Sequence, residues 1–211
     1  MLVKVKICGI TNLEDARVAI DAGADALGFI LYEQSPRRIS MDAAAEIIRA
    51  LPQPTVLTIG VFVDAPAEAV ASAAKKCGFQ GLQFHGNETP EYCAGFDDRF
   101  SILKAFQIRD EQSLDRLAAY QTGYWLLDAW SPSQPGGTGQ TFNWNLAVKP
   151  REMGRQIFLA GGLTPENVRE AAEKVQPYGV DVSSGVEARP GKKDHEKVRA
   201  FIRAAKSAKP A

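Results

Sequence analysis

Residues 157–183 read IFLAGGLTPENVREAAEKVQPYGVDVS. Two short apolar runs, Ile157 to Ala160 and Val180 to Ser183, flank a segment that places Val168, Ala171, Ala172 and Val175 on one helical face by the i, i+3, i+4, i+7 spacing. Gly161-Gly162-Leu163 leaves the first run, and Thr164-Pro165 then offers a helix start, with threonine as the cap and proline at the first helical position. Strand, glycine turn, amphipathic helix and strand together make one βαβ unit. Its crossover is right-handed and its strands run parallel.

The same alternation extends outward to both ends of the chain. Six more runs read as strands: Val3 to Gly9, Ala26 to Leu31, Val56 to Val63, Gly81 to His85, Ile102 to Gln107 and Tyr124 to Asp128. Helical faces recur at Ala44, Ile47, Ile48 and Leu51, at Ala67, Val70, Ala71 and Ala74, and at Val198, Phe201, Ile202 and Ala205. Thr11 with Glu14 fits a capping box in front of the first helix. Eight strands separated by helices predict an α/β fold, a parallel (β/α)8 TIM barrel; an open doubly wound sheet is the alternative. At 211 residues the barrel is lean, so connections such as Glu88 to Phe96 must be short. No linker interrupts the pattern, and residues 1–211 read as a single barrel domain.

Composition narrows the function. Lys plus Arg and Asp plus Glu both total 25, so no net field draws the chain to nucleic acid or an anionic membrane. Tyr124, Trp125, Trp130 and Trp144 are too scattered for a base-stacking platform. Cys8, Cys77 and Cys93, with only His85 and His195, show neither a disulfide framework nor zinc spacing. The N-terminus alternates like a strand and lacks the apolar segment of a signal peptide or membrane helix, which predicts a cytoplasmic protein. A small-molecule partner remains, and the polar outer helix faces favour a monomer over a homodimer.

In a β/α barrel the chemistry sits at the C-terminal ends of the strands. Alternation puts Lys4, Lys6 and Cys8 on the inward face of the first strand; Asp181 and Ser183 match that parity on the eighth, making Asp181 the expected counter-ion of Lys6. The loops after strands seven and eight, with Gly161 and Gly162 and with Ser183, Ser184 and Gly185, bring backbone N–H groups to the usual phosphate position of this fold. The Pro/Gly/Ser-rich stretch from Ser131 to Thr141 reads as a loop; within it Gly136 to Thr141 lacks the lysine of a P-loop and reads either as a lid over substrate or as a flexible surface loop. Cys77 and Cys93 read as buried hydrophobes, and His195, in Lys192-Lys193-Asp194-His195-Glu196, as part of a solvated helix start.

These residues carry a family resemblance. Lys6-Ile7-Cys8-Gly9-Ile10-Thr11 and Asp181-Val182-Ser183-Ser184-Gly185-Val186-Glu187 resemble the phosphoribosylanthranilate isomerase family. Gly28-Phe29, Ser35-Pro36-Arg37, Gly60-Val61-Phe62-Val63, Gln83-Phe84-His85-Gly86, Leu126-Leu127-Asp128 and Gly161-Gly162-Leu163 follow the same pattern in order, so the resemblance spans essentially the whole chain. It implies a (β/α)8 barrel and a step of tryptophan biosynthesis, the Amadori rearrangement of N-(5-phosphoribosyl)anthranilate, without metal or organic cofactor. It further implies Asp128 as general acid on the ribose ring oxygen, Cys8 as general base at C2′ and Arg37 as receptor for the anthranilate carboxylate, with His85 and Asp181 supporting substrate binding.

On that reading Lys6 should favour the Cys8 thiolate, while a partly apolar setting beside Leu127 and the closed lid should keep Asp128 protonated. Phe84 departs from the family's usual leucine, and Ala129-Trp130 from a small hydroxyl residue. Two rivals stand beside it: a phosphate-binding barrel with another reaction, and an inactive barrel kept as a binding protein.

Overall fold

Eight parallel strands pair in chain order and close on themselves in the computed structural model, which describes residues 2–52, 56–96, 99–129 and 143–209. They are β1 (Lys4–Cys8), β2 (Ala26–Ile30), β3 (Leu57–Phe62), β4 (Gly81–Phe84), β5 (Ser101–Ile108), β6 (Tyr124–Ala129), β7 (Gln156–Leu159) and β8 (Gly179–Val182). Closure comes from β1 against β8, with Lys4 opposite Gly179 and Lys6 opposite Asp181. The expected TIM barrel is therefore present, and the open-sheet alternative is excluded.

Among the described residues seven helices surround it: α1 (Leu13–Asp21), α2 (Met41–Arg49), α3 (Ala67–Cys77), α4 (Pro90–Ala94), α5 (Asn145–Glu152), α6 (Val168–Val175) and α7 (His195–Lys206). Between β5 and β6 two 3-10 turns, Glu111–Leu114 and Leu117–Ala119, connect the strands. The described residues form two apolar regions. Outward side chains such as Val5, Ile7, Phe29 and Leu127 pack against the helices, while Leu103, Ala105, Leu126, Phe158 and Ala160 form a separate cluster inside. Phe84 faces outward too, within 6.5 Å of the ring centres of Phe62, Tyr92 and Phe96. An aromatic cluster thus accommodates the residue that departs from the family pattern.

Local signals need correction at four points. The cap of α1 is Asn12, whose side chain accepts from Asp15 N–H, whereas the Thr11 hydroxyl donates to the Gly191 carbonyl. Helix α6 begins at Val168, after a turn in which Val168 N–H reaches the Thr164 carbonyl. On α3 the buried face is Val70, Ala73, Ala74 and Cys77, and Ala67 is exposed. Residues 187–193 form a hairpin of β9 (Glu187–Arg189) and β10 (Lys192–Lys193) that pairs Lys193 with Glu187, so Lys192 and Lys193 belong to a strand and not to the helix start read from the sequence. The loop from Ser131 to Thr141 lies outside the described residues.

Candidate active site

A pocket of about 340 Å3 opens at the C-terminal ends of the strands. Cys8, Arg37, His85, Asp128, Gly161, Gly162, Asp181, Ser183, Ser184 and Gly185 all line it, together with Tyr32, Gln83 and Leu163. They come from the ends of β1, β4, β6 and β8 and from the loops after β2, β7 and β8, so only barrel closure gathers them.

Cys8 is the last residue of β1, and its inward direction follows from strand alternation. Lys6, two residues earlier, is fully buried and donates to Asp181 Oδ1 at 2.9 Å, the predicted pair across the β1–β8 seam. Gly28 makes space for this group. A Cβ there would stand 2.8 Å from Cys8 Sγ and 3.0 Å from Lys6 Nζ, so the thiol and the ammonium share the volume a side chain would take. Burial alone would lower the Lys6 pKa; attraction to Asp181 and Cys8 outweighs it, and the pKa is raised.

For Cys8 the balance runs against the expectation from sequence. Burial pushes the thiol above its ordinary value, and Lys6 recovers only part of that shift. A thiolate loses its hydration in a closed barrel, and Asp181 has already spent much of the ammonium's field. The free protein therefore holds Cys8 mainly as a thiol at neutral pH.

Across the pocket, Asp128 ends β6 and is buried, with Oδ2 3.2 Å from His85 Nε2. Gln83 Nε2 lies 2.8 Å from His85 Nδ1. With the Gln83 amide assigned this way, Nδ1 accepts and Nε2 donates to Asp128. Asp128 Oδ1 makes no hydrogen bond among the described residues. Leu127 points outward into the strand–helix layer, so it does not shield Asp128 as expected; the loop expected to close over the site lies outside the described residues.

His85 is fixed from behind. Lys104 and Glu88 form a buried ion pair at 3.0 Å, and Lys104 also donates to the Phe84 and Gly86 carbonyls on either side of His85. Glu88 in turn accepts from Asp64 and Gly86 N–H. Every polar hydrogen of the Lys104 ammonium is thus used, the condition under which a buried ion pair is tolerated.

The two glycine loops meet at the pocket's opposite wall. Gly161 and Gly162 have φ of 81° and 65°, the left-handed region that favours glycine, and a Cβ on Gly161 would strike the Ala129 backbone. Gly185 packs against the Leu163 carbonyl, joining the loops after β7 and β8. The Ser183 hydroxyl and Gln83 Oε1 are buried without a hydrogen-bond partner among the described residues. Both belong to pocket-lining residues, so an incoming polar ligand has acceptor and donor positions to fill.

Arg37 also reaches the pocket, but it is held by Glu187, with Nε 2.9 and 3.0 Å from the two carboxylate oxygens. Glu187 also pairs with Lys193 at 3.1 Å. Lys193 is fully buried and His195 bonds Asp15 at 2.9 Å, so the segment read as solvated is tied into the fold. Glu187 carries no local sign of a site role because Arg37 lies 150 positions away, and Lys193, in a run of charges, gives no local sign of burial although Glu187 is only six residues before it. Cys77 and Cys93 are buried as expected.

Comparison with known proteins follows the geometry. The family model of N-(5′-phosphoribosyl)anthranilate (PRA) isomerase matches residues 5–204. A curated N-(5′-phosphoribosyl)anthranilate isomerase of Pelobacter propionicus is 56% identical over 205 residues, covering 97% of this chain and 96% of the relative. Among solved structures, phosphoribosyl anthranilate isomerase in complex with reduced 1-(o-carboxyphenylamino)-1-deoxyribulose 5-phosphate superposes with a TM-score of 0.89 at 42% identity, over 97% of this chain and 99% of that one. Monomers made from the dimeric isomerase of Thermotoga maritima match at TM-score 0.88 and 42% identity, with the same coverage.

Proposed function

The chain belongs to the N-(5′-phosphoribosyl)anthranilate isomerase family, and from that premise we propose how its pocket performs the family's reaction. The enzyme is an isomerase of tryptophan biosynthesis that converts N-(5-phosphoribosyl)anthranilate to 1-(2-carboxyphenylamino)-1-deoxyribulose 5-phosphate. In our reading the phosphate sits on the N–H groups of Gly161, Gly162, Ser184 and Gly185 and on the Ser183 hydroxyl, and Arg37 takes the aromatic carboxylate. Asp128 donates a proton from Oδ1 to the ribose ring oxygen while His85 holds Oδ2. The C1′–O bond breaks as the anilino nitrogen shares its lone pair, leaving a Schiff base. Cys8, in the thiolate form that Lys6 supports and that is the minor one in the free protein, removes the C2′ proton, and the electron pair moves to form an enolamine. The enolamine 2′-hydroxyl loses its proton and C1′ gains one, giving the ketone; no atom is gained or lost overall. Asp181 keeps Lys6 beside Cys8, where the ammonium favours the charged base.

The observation that carries this reading is the convergence, in one pocket, of a thiol sharing space with a buried ammonium, a carboxylate tethered by one oxygen, and paired glycine loops. Fluorescence-monitored turnover of freshly generated N-(5-phosphoribosyl)anthranilate tests it. Conversion is expected; tight binding of a product analogue without conversion would instead mark an inactive binding protein.

We further read residues 1–211 as one catalytic domain and the chain as a monomer. Large exposed apolar side chains among the described residues are scattered, at Leu2, Met41 and Met153. Light scattering at micromolar concentration tests this, and a dimer, as in the Thermotoga maritima relative, would overturn it. No helix among the described residues is long and apolar enough to cross a membrane, and three free cysteines suit our assignment to the reducing cytoplasm.

A further inference from the structure

The hairpin after β8 has a position in the site that the proton transfers do not explain. It pairs Glu187 with Lys193 and lays both beneath the Ser35–Arg37 loop, where Gly191 packs 3.4 Å from the Pro36 carbonyl by the line of an added Cβ. Glu187 is buried, and its carboxylate holds three donors: Arg37 Nε through both oxygens, Lys193 Nζ at 3.1 Å and Gly191 N–H at 3.3 Å. Lys193 also donates to the Ser183 carbonyl at 3.1 Å, in the loop read as the phosphate site. Gly9 lets the Arg37 stem pass close by, since a Cβ there would lie 2.9 Å from Ser183 Oγ and 3.1 Å from Arg37 Cδ.

We infer that Glu187 is a positioning residue that fixes the guanidinium of Arg37 for the aromatic carboxylate and, through Lys193, joins that subsite to the Ser183 loop. This rests on the reading of Arg37 as carboxylate receptor. Two physical arguments support it. Glu187 occupies the Nε edge of Arg37, while the Nη1 and Nη2 groups make no hydrogen bond to protein among the described residues. A fork therefore faces the pocket already oriented, and its side-chain entropy is lost on folding rather than on binding. Charge gives the second argument: Arg37 shares the single carboxylate of Glu187 with Lys193, whose pKa burial and Arg37 pull down, and a substrate carboxylate on Arg37 brings a second negative group to this cluster.

The test compares two ligands, the reduced product analogue and the same molecule without its aromatic carboxyl group, by calorimetry on wild type, Glu187→Gln and Arg37→Ala. Glu187→Gln should weaken the carboxylated ligand by about tenfold, the scale of freezing a long side chain at binding, and the carboxyl-free ligand by no more than about twofold. In turnover the same variant should raise KM with kcat nearly unchanged. Equal weakening of both ligands would mean a merely structural Glu187, and no change in either would also overturn the inference. If Arg37→Ala fails to discriminate between the ligands, the reading of Arg37 has failed, a result distinct from failure of Glu187 alone. Should Glu187→Gln not fold because Lys193 is stranded, Glu187→Gln/Lys193→Met, neutral on both sides, carries the same measurement with the same expected selectivity.

Discussion

The Lys6 ammonium, wholly buried, lies 2.9 Å from the Asp181 carboxylate at positions paired across the seam that closes the barrel. One contact thus serves both fold and site. Lys6→Met strands a buried carboxylate and should destabilise the protein by about 3–5 kcal/mol. Lys6→Met/Asp181→Leu should recover most of that loss in a urea titration while isomerase activity stays low. Recovered activity in the double variant would show that Lys6 matters to the fold alone.

The thiol of Cys8 should titrate above its ordinary range because burial outweighs the nearby ammonium. The difference in thiolate absorbance between wild type and Cys8→Ala should therefore be small at pH 7 and grow beyond pH 9, taking the ordinary value of 9.0 as reference. Removing Lys6 should move the rise to still higher pH. A thiolate signal already complete at neutral pH would contradict this ordering of burial over charge.

Gly28 tests the packing of the same corner. An alanine Cβ would lie 2.8 Å from Cys8 Sγ and 3.2 Å from the Cys8 backbone, so the thiol must move. Gly28→Ala should cost about 1–3 kcal/mol in stability and on the order of a hundredfold in kcat, the penalty of displacing a reacting group by about 1 Å. Unaltered kcat would mean that Cys8 is not held where the chemistry needs it.

Asp15 supports the hairpin from the other side, accepting from Lys193 N–H at 2.8 Å and from Lys192 and His195 side chains. Burial opposes its charge, but these hydrogen bonds prevail and its pKa lies below the ordinary 3.8. Because the folded value is depressed, the unfolded chain binds the proton first as pH falls. The contribution is complete above the unfolded value and is lost as pH drops through the folded one. Asp15→Asn should cost about 2–3 kcal/mol at pH 7. The gap from wild type should close below pH 3.8 in acid-unfolding curves; a gap independent of pH would rule out this origin.

Much of this arrangement was legible in the sequence because periodicity is local. The helical faces around Val168 and Val198 and the inward parity of Lys6, Cys8 and Asp181 follow from spacing alone, and barrel closure then brings the strand ends together. What stayed hidden depends on distant partners. Asn12 displaced Thr11 as a cap because the Thr11 hydroxyl is taken by Gly191, a residue far along the chain. Lys193 reads as solvated among charges, yet its backbone N–H is held by Asp15 at the other end of the chain, and the hairpin fold buries its ammonium on Glu187 and the Ser183 carbonyl. For Cys8 the sequence shows the favourable charge of Lys6, which acts as expected, but not how much water burial removes.

The most direct test of the acid–base assignment is turnover of N-(5-phosphoribosyl)anthranilate by wild type, Cys8→Ala and Asp128→Asn, with product-analogue binding measured in each. Loss of about 10²–10⁴ in kcat in both variants, with binding within a few fold of wild type, is the predicted result. Either variant turning over within tenfold of wild type would contradict its assignment as the group that moves the proton.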